Sequence, residues 1–206
     1  MDLYFSPLAC SLAARIALYE LGADARYVQV DPKTKRLPDA SDYRDVHPLG
    51  LVPVLRTDAG EVLTENAAIL QYLSTGHLAP PDASARTQLQ AWLCFIGTEL
   101  HKGLFAPQLD AKAPEGAKAY ALEKGASRLD YVERHLAGRE LLLDAFSVAD
   151  AYLFAVLNWT AVTPIDMAQY PSLRSYHGRL RERPSCARAF QEERALYAEE
   201  LARARA

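Results

Sequence analysis

The chain has 206 residues, half of them hydrophobic and 24% charged, with a formal net charge of -3. That composition suits a globular protein with a sizeable core, and its mild acidity gives no reason to expect nucleic acid or an anionic membrane as partner. Three cysteines, Cys10, Cys94 and Cys186, are too few and too scattered for a disulfide framework, and without a CxxC pair a structural zinc site is not expected. The five histidines lack HExxH spacing. No apolar run approaches the ~20 residues that span a bilayer. The segment after Met1 has no basic and apolar regions of a secretory signal, so a reducing cytoplasm with free thiols is the expectation.

In chain order, Asp2-Leu3-Tyr4-Phe5 reads as a short strand that Ser6-Pro7 breaks. Residues 11–21 carry apolar side chains at helical spacing, and Gly22 stops them. Tyr27-Val28-Gln29-Val30 is a second strand, followed by a polar stretch with a short helix near residues 41–46. Pro53–Arg56 and Glu61–Leu63 flank Thr57-Asp58-Ala59-Gly60 as a hairpin, and Glu65-Asn66 opens a helix through Leu73. The order is βαβ, then ββα, so the first two strands run parallel and the hairpin adds an antiparallel pair.

Strand signals end at Ala79-Pro80-Pro81-Asp82. Helices are expected over residues 84–109, 114–136, 147–159, 172–183 and 185–203, with Ser147 and Asp150 in capping-box spacing. The resulting division is 1–78 as a small α/β domain, 79–86 as a linker and 87–206 as an all-helical domain. Glu192, Glu193, Glu199 and Glu200 alternate with basic residues in the last helix, which reads as a solvated face.

Five segments in register carry a resemblance. Tyr4–Ala13 contains an Ala9-Cys10-Ser11 turn. His47-Pro48-Leu49-Gly50-Leu51-Val52-Pro53-Val54-Leu55 and Leu63-Thr64-Glu65-Asn66-Ala67-Ala68-Ile69 follow, then Thr98-Glu99-Leu100-His101-Lys102-Gly103 and Phe146-Ser147-Val148-Ala149-Asp150-Ala151-Tyr152. Together they resemble the bacterial beta class of glutathione S-transferases. The resemblance implies a thioredoxin-like N-terminal domain, an all-α C-terminal domain, a homodimer, and a role in detoxification. It also implies glutathione as cosubstrate with no prosthetic group, and a small hydrophobic electrophile as the other partner.

The resemblance also implies site residues. Val52-Pro53 would be a cis peptide holding the cysteinyl unit of glutathione. Glu65 and Asn66 stand at a helix N-terminus, where N–H groups favour a carboxylate. They would hold the glutamyl end, Glu65 taking the ammonium. Lys35 would pair with the glycyl carboxylate, although Lys33 or Arg36 could substitute. Thr98, Glu99, Leu100 and His101 would border the ligand, with Cys10, Ser11 and His101 near its sulfur. Lys102 and Trp159 would line the electrophile pocket, and Trp159 could equally be a core aromatic.

The chemistry needs a thiolate. Lowering a thiol from about 8.5 by about two units takes roughly 2.7 kcal/mol. A helix N-terminus contributes about 0.3–1 kcal/mol and a charge-assisted hydrogen bond about 1.5–3 kcal/mol, so one good donor at the start of the first helix suffices. The family usually has tyrosine where Phe5 stands. Because strand side chains alternate, Tyr4 points away from Phe5 and does not inherit that position. The thiolate of Cys10 itself would also be favoured at the helix start, which leaves monothiol–disulfide exchange or peroxidase chemistry as an alternative to conjugation. A non-catalytic ligand-binding or regulatory protein on the same fold is a further alternative. Cys94, where relatives commonly have asparagine reaching across the dimer, is expected to be packed.

Overall fold

Leu3, Tyr4 and Phe5 are all buried in β1 (Asp2–Phe5), which places that strand in the middle of the sheet rather than at its edge. The computed structural model describes residues 1–203. β1 pairs in parallel with β2 (Arg26–Gln29), Leu3 opposite Tyr27. On its other side it runs antiparallel to β3 (Val54–Arg56), Leu3 opposite Leu55, and β3 continues into β4 (Val62–Leu63), giving the order β2-β1-β3-β4. The strand period of two sorts the β1 side chains. Leu3 and Phe5 enter the main core, whereas Tyr4 packs with Val30, Tyr43 and Val54 on the opposite face.

Helix α1 (Leu12–Glu20) crosses between β1 and β2 and buries seven of its nine residues. Helix α2 (Asn66–Leu73) follows the hairpin. The rest is helical: α3 (Ala83–Phe95), a π-helical segment over Ile96–Phe105, α4 (Ala106–Leu109), α5 (Glu115–Leu136), α6 (Val148–Leu157), α7 (Pro171–Glu182) and α8 (Pro184–Arg203). Every residue of α6 is buried, and it packs against α1, which joins the sheet-bearing half to the helical half. At the other end of α1, Glu20 accepts a bidentate pair from Arg183 at 2.7 Å. No helix among the described residues is long and apolar enough to cross a membrane.

The strands and helices fall where the sequence places them. One difference matters for the site. The expected single α-helix over residues 84–109 widens into π turns from Ile96 to Phe105. Gly103 follows Thr98 by five residues, the spacing of a π turn. A Cβ on Gly103 would stand 2.9 Å from the Thr98 carbonyl oxygen, so glycine is what lets the coil widen there. Gly103→Ala is therefore expected to cost about 1–3 kcal/mol in urea unfolding, as for other overpacked sites.

Candidate active site

The loop from Ser6 to Cys10 is held from the helical half. Leu8 has a φ of 60°, uncommon for a side chain of this kind, and both of its backbone groups are engaged. Its N–H donates to Glu193 Oε2 at 2.7 Å, and its carbonyl accepts from Trp159 Nε1 at 2.9 Å. Glu193 is therefore not part of a solvated face: it is fully buried, with its Oε1 3.0 Å from Nε of Arg15. Arg15 lies between the rings of Phe5 and Tyr27, 4.3 Å from each centroid. Burial pushes the Glu193 carboxyl up to about 8, against the pull of Arg15. The i, i+4 pattern of α8 hides this, since Glu193 falls on its inner face only once α1 is packed there.

Cys10 stands just before α1, 7% exposed, and its Sγ lies 3.5 Å from the carbonyl oxygen of Val52. Val52-Pro53 is a cis peptide. Burial pushes the Cys10 thiol up to about 12, while the Lys102 charge and the amides of Cys10 and Ser11 pull it down. The expectation that the helix start favours a Cys10 thiolate is thereby corrected, because desolvation outweighs the dipole. Ser11 also differs from expectation. Its hydroxyl is wholly buried, donating to the Ser6 carbonyl at 3.2 Å and accepting from the Ser6 N–H at 3.3 Å. That leaves only its amide for the thiol.

Across the cleft, Glu65 is exposed at the N-terminus of α2 with a φ of 65°, and strain of this kind in a non-glycine residue clusters at functional sites. Asn66 beside it is buried, and neither its Nδ2 nor its Oδ1 completes a hydrogen bond within the chain. Lys35 lies against the loop that leads to Val52: its Cδ would be 3.3 Å from a Cβ on Gly50. Arg36 is instead tied to the Ala40 carbonyl at 3.0 Å.

The π-helical segment supplies the opposite wall. His101 is half-buried, its Nδ1 is 2.7 Å from the Tyr152 hydroxyl, and its ring lies 5.0 Å from that of Trp159. Burial, aided by Lys102, lowers its pKa to about 4, so the imidazole is neutral at pH 7. Lys102 is exposed yet near enough to act on Cys10. Trp159 is a buried aromatic whose Nε1 donates to the Leu8 carbonyl and whose ring is edge-on to Phe105 at 5.6 Å. Two expectations change here, at Leu100 and at Cys94. Leu100 is fully buried in the core, so its side chain does not reach the cleft. Glu99 pairs with Arg128 at 2.9 Å, and Thr98 Oγ1 bonds back to the Cys94 carbonyl at 3.0 Å. Cys94 is exposed, not packed, because that part of α3 turns away from the helical core.

Tyr152 is the residue that sequence reasoning missed. It was visible only as the end of the Phe146–Tyr152 segment, and nothing in its helical spacing separates a site tyrosine from a core one. Its hydroxyl is buried, touches His101 and is influenced by Asn66, Cys10 and Glu65 together.

A four-stranded mixed sheet with a cysteine at the start of its first helix and a cis-proline beside it, closed by a helical half, defines a thioredoxin-like domain joined to an all-α domain. The family model described as glutathione S-transferase, N-terminal domain matches residues 9–75, and that for the C-terminal domain matches residues 108–179. The chain is 38% identical to glutathione S-transferase GstA of Escherichia coli O157:H7, over 94% of this chain and 98% of that one. It is 41% identical to the bacterial beta-class glutathione S-transferase of Sphingomonas chungbukensis, with a TM-score of 0.88, covering 94% of this chain and 98% of that one. A sphingomonad glutathione S-transferase complexed with glutathione is 43% identical, with a TM-score of 0.88 and the same coverage. The chain belongs to the glutathione S-transferase family, in its bacterial beta class.

Proposed function

We propose that the chain is a glutathione transferase that joins the glutathione thiolate to small hydrophobic electrophiles. In this reading residues 1–78 bind glutathione, 79–86 link, and 87–206 supply the electrophile wall. The enzyme works as a cytoplasmic homodimer. The observation that carries the proposal is the grouping of Cys10, Val52, Asn66 and His101: Cys10 lies on the Val52 carbonyl, and Cys10, Asn66 and His101 all surround the Tyr152 hydroxyl. Val52 pairs with the cysteinyl unit, Asn66 and Glu65 hold the glutamyl end, and Lys35 meets the glycyl carboxylate.

With glutathione so placed, its sulfur lies between Cys10 and His101. Both are donors at pH 7: a thiol pushed up to about 12 keeps its proton, and a neutral imidazole has one N–H to give. Hydrogen bonds to an anion are worth about 1.5–3 kcal/mol each, enough together for the roughly 2.7 kcal/mol that two pKa units require. The exposed ammonium of Lys102 adds attraction for the thiolate. Disulfide exchange by Cys10 would need its thiolate, which burial disfavours. Conjugation is thus the better account of this site.

The experiment is turnover of a chloronitrobenzene with glutathione, beside reduction of hydroxyethyl disulfide. Conjugation that survives in Cys10→Ser and falls at least tenfold in His101→Gln is the expected result. Conjugation absent from the wild-type protein, together with disulfide reduction abolished by Cys10→Ser, would transfer the function to thiol exchange. Absence of both activities and of retention on immobilised glutathione would leave a binding or regulatory role.

A further inference from the structure

We propose that Tyr152 is a positioning residue that fixes His101 as the Nε2–H tautomer, so that a neutral imidazole presents a donor to the glutathione sulfur. The inference rests on the transferase reading above and adds to it a chain of hydrogen bonds inside the protein. Nδ1 of His101 and the Tyr152 hydroxyl are 2.7 Å apart, so one of them donates to the other. Two arrangements satisfy that contact. Either Tyr152 donates to Nδ1, leaving Nε2 with the proton, or Nδ1–H donates to Tyr152, leaving Nε2 as an acceptor and potential base.

Three observations favour the first. A phenol is a better proton donor than a neutral imidazole N–H, and the pyridine-type nitrogen is a better acceptor than a phenol oxygen. Tyr152 is buried, and desolvation keeps its hydroxyl protonated. Asn66, buried and unpaired at both of its polar atoms, lies where its amide favours the Tyr152 oxygen as an acceptor. A side-chain amide facing the phenol oxygen leaves the Tyr152 O–H for His101. The other groups acting on this pair are Lys102 beside the imidazole and Cys10 and Glu65 beside the phenol. The tautomer of a histidine is set by what its other nitrogen bonds to.

The test is the ring nitrogen spectrum of His101, assigned by its loss in His101→Gln, in protein labelled with 15N-histidine. In the wild type Nε2 is expected to carry the proton and Nδ1 to show the signal of a hydrogen-bonded acceptor. This measurement needs no variant of Tyr152. In Tyr152→Phe the two nitrogen shifts move toward one another as the tautomers mix, and kcat falls about tenfold, more than KM for glutathione rises. A protonated Nδ1 in the wild type, or unchanged shifts in Tyr152→Phe, would overturn the proposal. Full kcat in Tyr152→Phe while His101→Gln loses activity would also overturn it. Full kcat in both variants would instead remove His101 from the reaction, and the positioning role with it.

Discussion

Asp150→Ala is expected to lose about 4 kcal/mol or more of stability, the largest effect of any single substitution considered. The carboxylate is wholly buried and accepts four hydrogen bonds: from the N–H of Leu142 at 3.0 Å, from the N–H and hydroxyl of Ser147 at 2.9 Å each, and from the Tyr176 hydroxyl at 2.9 Å. Each buried donor left without a partner costs about 1–3 kcal/mol, and the Ser147 N–H among them is half of the capping box that opens α6. A domain holds only about 5–15 kcal/mol in total. Because α6 joins both halves, the loss falls on the whole chain. Urea unfolding gives the number. Tyr176→Phe, which removes one of the four donors and leaves the carboxylate in place, should cost only about 1 kcal/mol. A loss below about 1 kcal/mol in Asp150→Ala would show that the network is dispensable.

Glu193→Ala comes second, at about 3 kcal/mol with impaired turnover. It strips the acceptor from Leu8 N–H and leaves the buried Nε of Arg15 facing a void. Of the two ties from the helical half to the Cys10 loop only Trp159 then remains, so activity should fall more than the fraction of unfolded protein explains. Glu193→Gln keeps an acceptor for Leu8 and should cost about 1 kcal/mol near pH 7. The two also differ in pH dependence. The folded pKa of Glu193 is raised from 4.5 to about 8, so the fold holds a proton that the unfolded chain releases. Its contribution is complete below about 4.5 and is lost as pH rises toward and through about 8. His101 and His177, both lowered to about 4, give the opposite slope, since their contribution is lost as pH falls from 6.5 toward 4. Both proteins carry those histidines, so the difference curve between wild type and Glu193→Gln isolates Glu193. It should show the wild type losing ground from about pH 4.5 to 8, and a flat difference would contradict that assignment.

The periodicity of the chain was enough to read a small α/β half followed by a helical one. Alternation in β1 separated Tyr4 from Phe5, and Ser147 with Asp150 marked the start of α6 before any coordinate. The placement of Cys10 before α1, of the cis Val52-Pro53 peptide and of Glu65-Asn66 at the start of α2 was legible because the segments that carry the family resemblance are short and local. What was hidden depends on packing between distant segments. Glu193 looks solvated until α8 lies on α1, and Leu100 looks accessible until the π turns rotate it inward. Cys10 looks activated by its helix until burial is counted. Tyr152 acquires its role only from the 2.7 Å contact with a residue 51 positions away.

The central claim is that this cleft ionises glutathione through donors on Cys10 and His101. The direct measurement is the ultraviolet absorbance of the thiolate in the glutathione-loaded protein, with the unloaded protein subtracted, followed as a function of pH. Bound glutathione is expected to ionise about two units below a free thiol of about 8.5, and His101→Gln to return about half of that shift. Bound glutathione that ionises at the free value would contradict it.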